Sequence, residues 1–539
     1  LDFLNRAWSL NYIFYFCALP PRAEVLLISD HLSRTEIDFS IFDIQVTFAV
    51  PSSFKEKYGL IERTDVLYFD EKDFFQENKE FSMIIFDLEK QPYRPVLNKT
   101  ITNLSEDGYV VLLDWSFSRF RPLQSIVRTS GLFGKQIANF PQKRNYDIAG
   151  KLFLLEWYFF VEPGLAKPQY LVREAFKTAI PQDSHSALKN FFNRIGAFYL
   201  LPHNKVLILR KSESNINAGP VIEAVNALAR KAGAEYSVND AVLRRILLSR
   251  TKVLILDVAL GNKSFIIRFP LDQSALERLQ KQQKILLLLQ TKGFAFIPYQ
   301  WQLKEKLSFP YFIEEKVQGA EKQQKRIEKD KQGVSVLYEQ IFQNIKEIHL
   351  TFGRPFVMTE QEFSKYVSPK IEIIKTLLDQ NEEINGYLAK LQKYFYDEFY
   401  GKKFLAGVCH GDLKIQNCIY NSKGQLNGLI DWDMSERDEI TLVDVTSLLA
   451  NAIRTRYYPD ASLRWFSLDI SKIPLEFLSE YEKYFKRTKT SYLAPFPALM
   501  FYWLDRTCKM IKYNSSANEN WARKEVYPVL KRGDYFFSH

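Results

Sequence analysis

Residues 408–433 read VCHGDLKIQNCIYNSKGQLNGLIDWD. They open on the octet His410-Gly411-Asp412-Leu413-Lys414-Ile415-Gln416-Asn417 and close on Ile430-Asp431-Trp432-Asp433. Asn417 follows Asp412 by five residues, and Asp431 follows Asn417 by 14. One short loop thus carries a carboxylate and an amide oxygen, and the end of the next strand brings a second carboxylate. Transfer of a phosphoryl group to a hydroxyl needs such a set: a carboxylate to position or deprotonate the attacking hydroxyl, and oxygen ligands for Mg²⁺. Mg²⁺ keeps waters and phosphate oxygens around it, so two protein ligands suffice. Asp412 is the candidate base, and Asn417 and Asp431 are the candidate metal ligands. The bland reading is a chance loop with an Asp cap and an Asn turn. Two spaced parts in the right order argue against it.

The arrangement resembles the aminoglycoside phosphotransferase and choline kinase family, small-molecule cousins of the protein kinases. The family pattern is His-Gly-Asp-x-x-x-x-Asn, then Ile-Asp-Trp-Glu. The first part matches at every fixed position, and Asp433 replaces the Glu of the second. The resemblance implies an α+β bilobal protein-kinase-like fold. It also implies ATP and Mg²⁺ as cofactors and a small-molecule hydroxyl acceptor such as a sugar, a glycan intermediate or an amino alcohol. It covers residues 240–450 and extends loosely beyond them. A protein kinase fits less well, because Asp-Trp-Asp stands for Asp-Phe-Gly and no Ala-Pro-Glu segment follows.

Working back from the loop, the sequence predicts a small lobe over 220–312. Its strands, 253–260 and 264–269, are joined by Gly261-Asn262-Lys263, a tight-turn signal. The resemblance gives Arg268 on the second of these strands the role of contacting nucleotide phosphates. The bland alternative is a surface Arg on an edge strand. The turn Ser249-Arg250-Thr251-Lys252 would cover the nucleotide; it lacks glycine, and Arg250 and Lys252 would compensate by charge. Asp272 is placed to cap a helix that runs to about Gln290, with Gly293 just beyond. The family has a Glu in this helix to pair with the strand base, whereas Gln282 and Gln283 are the inward candidates here. Residues 311–319 resemble the hinge whose backbone binds adenine, which makes Ile313, Glu314 and Glu315 candidate nucleotide contacts by location.

The large lobe is expected over 313–539. A helix over 337–349 ends on His349, read as a core histidine. Residues 363–404 read as two helices leading to the loop. A helix over 441–451 carries Asp444, read as bracing the loop. The aromatic, helical tail 457–535, with Asp505, Arg506 and Trp521, is where the resemblance places the acceptor pocket.

Toward the N-terminus, apolar runs at 24–29, 46–50, 66–69, 83–87, 109–114, 152–160 and 205–210 read as buried strands. The early gaps are long enough for crossover helices, which implies a largely parallel sheet. The layout resembles class I S-adenosylmethionine methyltransferases, which end in an antiparallel strand. Those enzymes carry a Gly-rich turn after the first strand and an acidic residue after the second. Here these places read Ile28-Ser29-Asp30-His31-Leu32-Ser33 and Phe48-Ala49-Val50-Pro51-Ser52. Residues 1–211 are therefore expected to be an α/β Rossmann-like (methyltransferase-like) domain without its cofactor. Asp70 and Asp87 are substitute carboxylates, and His31 and His203 are turn or surface residues. Residues 212–219 are the expected linker. A helix follows over 220–232, with Pro at its start and Gly233 past its end.

A chain of 539 residues exceeds one core, so two to four domains are expected. Residues 1–219 hold 26 basic against 25 acidic side chains, so nearly all of the net +10 falls on the remainder. That balance suits anionic ligands. No Arg-rich stripe interleaved with aromatics points to nucleic acid. Cys17, Cys409, Cys418 and Cys508 show no metal spacing and fit a reducing cytoplasm. No apolar run reaches membrane-spanning length. The expected function is an ATP- and Mg²⁺-dependent small-molecule kinase. The alternatives are a binding or scaffold protein with a weak kinase, or a two-activity enzyme that also transfers methyl groups. A protein partner of the N-terminal domain belongs to the scaffold reading.

Overall fold

The structure is a computed structural model that describes residues 7–29, 39–52, 66–69, 79–87, 100–114, 146–155, 158–161, 204–211, 219–233, 241–249, 251–301, 309–321, 331–378, 382–454, 473–513 and 519–537. Arg250, Asp30, His31, Leu32, Asp70 and His203 lie outside the described residues, as do 212–218 of the expected linker. The chain divides into two compact units. Unit 1 is Leu1–Leu276 with Trp301–Glu315, and unit 2 is Glu277–Gln300 with Lys316–His539.

Unit 1 is built on strands β1 (Ala23–Ser29), β2 (Ile44–Pro51), β3 (Val66–Phe69), β4 (Phe81–Asp87) and β5 (Leu104–Asp114). They pair in parallel as β3-β2-β1-β4-β5. β1 and β4 are buried at five or more of their seven positions, as parallel strands covered on both faces require. Then come β6 (Tyr146–Leu155), β7 (Tyr158–Val161) and β8 (Asn204–Lys211). β8 inserts antiparallel between β5 and β6. The apolar run 152–160 was expected as one strand. It is two, because the chain reverses between Leu155 and Tyr158 and β6 pairs antiparallel with β7. Periodicity alone does not reveal such a break.

Helix α1 (Pro220–Ala232) begins with Pro at its first turn and ends at Gly233, as expected. The next strands are β9 (Ala241–Leu248), β10 (Val253–Leu260), β11 (Lys263–Pro270), β12 (Gln300–Trp301) and β13 (Phe312–Glu315). Gly261 turns β10 into β11 with φ +59°, the left-handed conformation a two-residue hairpin turn demands. β9 pairs with β10 on one side and β7 on the other. The small-lobe strands therefore continue the N-terminal sheet, and all 13 form one sheet in the order β12-β13-β11-β10-β9-β7-β6-β8-β5-β4-β1-β2-β3. A buried cluster of aliphatic and aromatic side chains, from Leu10 through Val25 to Phe269, packs on it. Helix α2 (Gln273–Thr291) is capped as expected: Ala275 N–H donates to Asp272 Oδ1 at 2.8 Å.

Unit 2 is helical around two three-stranded sheets. Its elements are β14 (Ala320–Glu321), α3 (Lys331–Phe352), β15 (Arg354–Val357), α4 (Glu360–Tyr366), α5 (Ser368–Leu377), α6 (Glu382–Phe399) and β16 (Lys403–Cys409). β17 (Cys418–Tyr420), β18 (Leu426–Leu429), β19 (Glu436–Ile440) and α7 (Leu442–Arg454) follow. The last part holds α8 (Leu475–Thr488), α9 (Pro495–Tyr513), α10 (Glu519–Glu525) and α11 (Tyr527–Phe537). The two helices expected over 363–404 are three, because Pro369 and the break after Leu377 interrupt the pattern. β15-β16-β19 and β14-β17-β18 are the two sheets. β16 delivers the chain to the loop, and β17-β18 is the hairpin that returns it to Asp431. The core beneath is large and aromatic, with Trp432, Phe395, Tyr481, Phe501 and Tyr502 fully covered. No helix among the described residues is long and apolar enough to cross a membrane.

Candidate active site

Six of the seven β16 side chains are buried, which fixes where the loop begins. Gly411 then adopts φ +81°. A Cβ there would meet Met434 O at 2.1 Å and Lys509 Nζ at 2.9 Å, so glycine is the residue this place accepts. Asp444 lies buried under the loop. Its carboxylate accepts the His410 and Gly411 backbone N–H groups at 2.7 Å each. His349 Nε2 sits 3.1 Å from Asp444 Oδ2, and its Nδ1 sits 2.8 Å from the Tyr484 hydroxyl, which donates to Thr441 Oγ1. Burial would raise the Asp444 pKa, but the bonds from His349 and Gly411 outweigh it and hold the carboxyl below its ordinary value. The expected bracing role of Asp444 and the core role of His349 thus have a physical basis. His410 turns inward, Nε2 lying 2.8 Å from Ile430 O, and packs on the buried Trp432 at 4.6 Å between ring centroids.

The Asp412 side chain is 13% exposed and lies between two cations. Arg506 Nη1 donates to its Oδ1 at 3.0 Å, and Lys414 Nζ donates to its Oδ2 at 2.6 Å. Burial pushes its pKa up, and Lys414 and then Arg506 pull it down further, so the carboxylate is ionised below its usual range. Asn417 Nδ2 donates to the Asp412 carbonyl at 2.9 Å, which fixes the amide orientation and leaves its oxygen for another partner. Ile430 N–H donates to the Asn417 carbonyl at 2.8 Å, so the loop and the segment ending in Asp431 are stitched together. Asp431 itself has φ +67° and ψ +55°. A left-handed non-glycine residue is a strained conformation of the kind found at functional sites. Among the described residues its carboxylate accepts no hydrogen bond. An amide oxygen and an unengaged carboxylate held by adjoining backbone fit the ligand preference of Mg²⁺.

Unit 1 carries the other expected residues. Arg268 on β11 forms a salt bridge from Nη2 to Glu314 Oε1 on β13 at 2.7 Å, and both side chains are nearly buried. The strand base therefore has a carboxylate partner, drawn from the neighbouring strand rather than from α2. Glu314 was expected to matter through its backbone; its side chain makes this pair. Ile313 is buried, and Glu315 ends the strand opposite Phe265. Lys252, in a left-handed conformation at φ +59°, pairs with Asp272, the cap of α2. Sequence reading gave no role to Lys414, although it stands inside the quoted octet, and none to Arg506 toward Asp412. A separation of 94 residues leaves no local signal for that second pair.

Comparison with known proteins gives one family match. Residues 247–466 match the model of the phosphotransferase enzyme family. No curated protein sequence matches the chain. Among solved structures, a candidate aminoglycoside phosphotransferase from Ralstonia eutropha is 14% identical, covering 59% of this chain and 98% of its own at a TM-score of 0.42. Choline kinase from Streptococcus pneumoniae is 16% identical, covering 53% of this chain and 89% of its own at a TM-score of 0.34. The family match thus falls on the C-terminal part of the chain, residues 247–466.

Proposed function

We propose that the chain is an ATP- and Mg²⁺-dependent phosphotransferase that phosphorylates a hydroxyl of a small molecule. The observation that carries this is the setting of Asp412: ionised, partly exposed and clamped between Arg506 and Lys414 at the end of a braced loop. In a loose phosphoryl-transfer transition state the acceptor proton leaves late, so the base need only orient the hydroxyl. A carboxylate held low suits that task better than outright proton abstraction. As the acceptor oxygen bonds to the γ-phosphorus, the bond to the nucleotide leaving group breaks and the proton passes to Asp412. Asn417 and Asp431 are the residues that would hold Mg²⁺, which when bound neutralises phosphate charge. On the same reading Arg268, Arg250 and Lys252 serve the nucleotide phosphates, and residues 313–315 the adenine.

The domain plan proposed is a methyltransferase-like module over 1–211, a linker over 212–219, a small lobe over 220–312 and a large lobe over 313–539. The strand order β3-β2-β1-β4-β5-β8-β6, with β8 antiparallel, supports the first of these. Ser29 Oγ, at the end of β1, donates to Asp87 Oδ2 at 3.1 Å, and both are buried. This commitment of Asp87 supports a module that does not hold S-adenosylmethionine. The four buried free thiols support a reducing, cytoplasmic setting. The decisive experiment is ATP turnover of the full chain with a panel of sugars and amino alcohols, with products identified by mass. Stimulated turnover and a mass gain of one phosphoryl group are expected. No stimulation by any acceptor, together with no Mg²⁺-dependent ATP binding, would overturn the proposal.

A further inference from the structure

Asp412 is gripped at both carboxylate oxygens, by cations that come from different parts of unit 2. Lys414, on Oδ2, belongs to the loop itself and stands three residues ahead of Asn417. The Asp431 carboxylate acts on its ammonium as well, which sets Lys414 on the side of the proposed metal ligands. Arg506, on Oδ1, comes from α9. Each carboxylate oxygen has two lone pairs and only one of these donors, so Asp412 keeps room to accept a hydroxyl.

Arg506 uses only part of what it offers. Its Nη1 donates to Asp412 at 3.0 Å and to the Tyr502 hydroxyl at 3.3 Å. Tyr502 is fully buried and accepts from the buried Ser447 hydroxyl at 3.0 Å, so the inner end of the guanidinium is anchored. A guanidinium carries five N–H donors in a rigid fork. The three on Nε and Nη2 have no partner among the described residues, and the side chain is 34% exposed. Its charged neighbours on α9 do not neutralise it. Asp505 is held by Lys370 at 2.6 Å and by Lys509 at 2.8 Å, and Lys370 also meets Glu439 at 2.5 Å. Those two ammonium groups and two carboxylates balance one another. Asp412 answers two cations with one charge, Asp431 being reserved for the metal on the proposed function. The Nε–Nη2 edge presents parallel N–H donors, the geometry that meets two oxygens of a carboxylate or phosphate. A cationic group placed there would meet a like charge.

We propose that the acceptor is an acidic hydroxy compound, whose hydroxyl meets Asp412 and whose carboxylate or phosphate is forked by the open edge of Arg506. The word acceptor rests on the phosphotransferase reading, but the test does not require turnover. Saturation-transfer NMR titrations on the full chain, without nucleotide, would use four probes built on one ring: glucose, glucuronate, glucose 6-phosphate and glucosamine. The two acidic probes separate carboxylate from phosphate as the source of the oxyanion. At least one of them is expected to bind about tenfold more tightly than glucose, with glucosamine weakest. In Arg506→Gln that preference should vanish with glucose binding unchanged. In Arg506→Lys, which keeps the charge without the fork, it should fall in part. An Arg506 that only orients Asp412 would weaken all four probes together, and that result would overturn the proposal. So would the absence of any preference for an acidic probe, or a preference that survives in folded Arg506→Gln. A thermal melt checks folding. If Arg506→Gln does not fold, Arg506→Lys decides, and an undiminished acidic preference in it counts against the proposal. Failure of phosphotransfer itself would show in ATP turnover and leave this binding result standing.

Discussion

Two places where the chain leaves a buried strand treat their polar groups in opposite ways. At the ends of β1 and β4 in unit 1, Ser29 and Asp87 are buried and satisfy one another. Around the loop after β16 in unit 2, Asp444 satisfies the backbone from below, while Asp412 and Asp431 stay partly exposed. A buried polar group must be paired to avoid a desolvation penalty. A group meant to meet a ligand must keep capacity in reserve. On the proposed function, the difference separates polar residues that hold a fold from those that serve a reaction, although Asp87, Asp412 and Asp431 are all acidic residues near strand ends.

The sharpest way to break this comparison is Asp431. Asp431→Gly suits a left-handed backbone better than Asp does, so the variant should fold with a melting temperature equal to or above that of the parent. It should nonetheless lose turnover and Mg²⁺-dependent nucleotide binding. A variant that is both stable and active would remove the carboxylate from the site. Next in size, Asp412→Asn should lower turnover by about 10²–10⁴-fold with folding and ATP affinity retained, as steady-state kinetics and calorimetry would show.

Arg268→Ala tests the pair in unit 1. It should raise the apparent KM for ATP, and it should also cost about 3 kcal/mol of stability by taking the guanidinium away from the buried Glu314 carboxylate. Arg268→Ala with Glu314→Gln should recover stability but not ATP kinetics. Recovery of both would make the pair purely structural. The smallest effect expected is in the pH profile. The Asp412 pKa is depressed, so the working ionised form persists above it and is lost as pH falls through it. Removing Arg506 in Arg506→Met raises that pKa, so the acid limb of kcat/KM should move toward neutral pH. An unmoved limb would detach Arg506 from Asp412. In unit 1, titration of the full chain with S-adenosylmethionine should give no heat; micromolar binding would reverse the contrast drawn at β1 and β4.

What was legible in the sequence was what local rules control. The Asp412, Asn417 and Asp431 spacing, the Asp272 cap, the Gly261 turn and the Pro220 start of α1 each follow from neighbours a few residues away. Strands β1 to β5 were legible because parallel strands are continuous apolar runs. The reversal inside 152–160 was not, because both strands of a tight hairpin are equally apolar. The Arg268–Glu314 pair was hidden because it depends on β11 lying beside β13, a register no spacing encodes. Arg506 and the Lys370–Glu439–Asp505–Lys509 cluster needed the packing of α5, β19 and α9, which come together across more than 130 residues.

The pairing of β7 with β9 bears on how the protein can be cut. A fragment beginning after residue 219 would carry the family domain whole and would look, by motif, like a natural unit to express. It would also strip β7 from β9 and free the backbone edge at Ile246 and Leu247, the residues paired with Phe159 and Tyr158. Such an edge recruits other strands. The expected outcome is self-association of the fragment in size-exclusion chromatography, relieved by restoring the segment that contains β6 and β7.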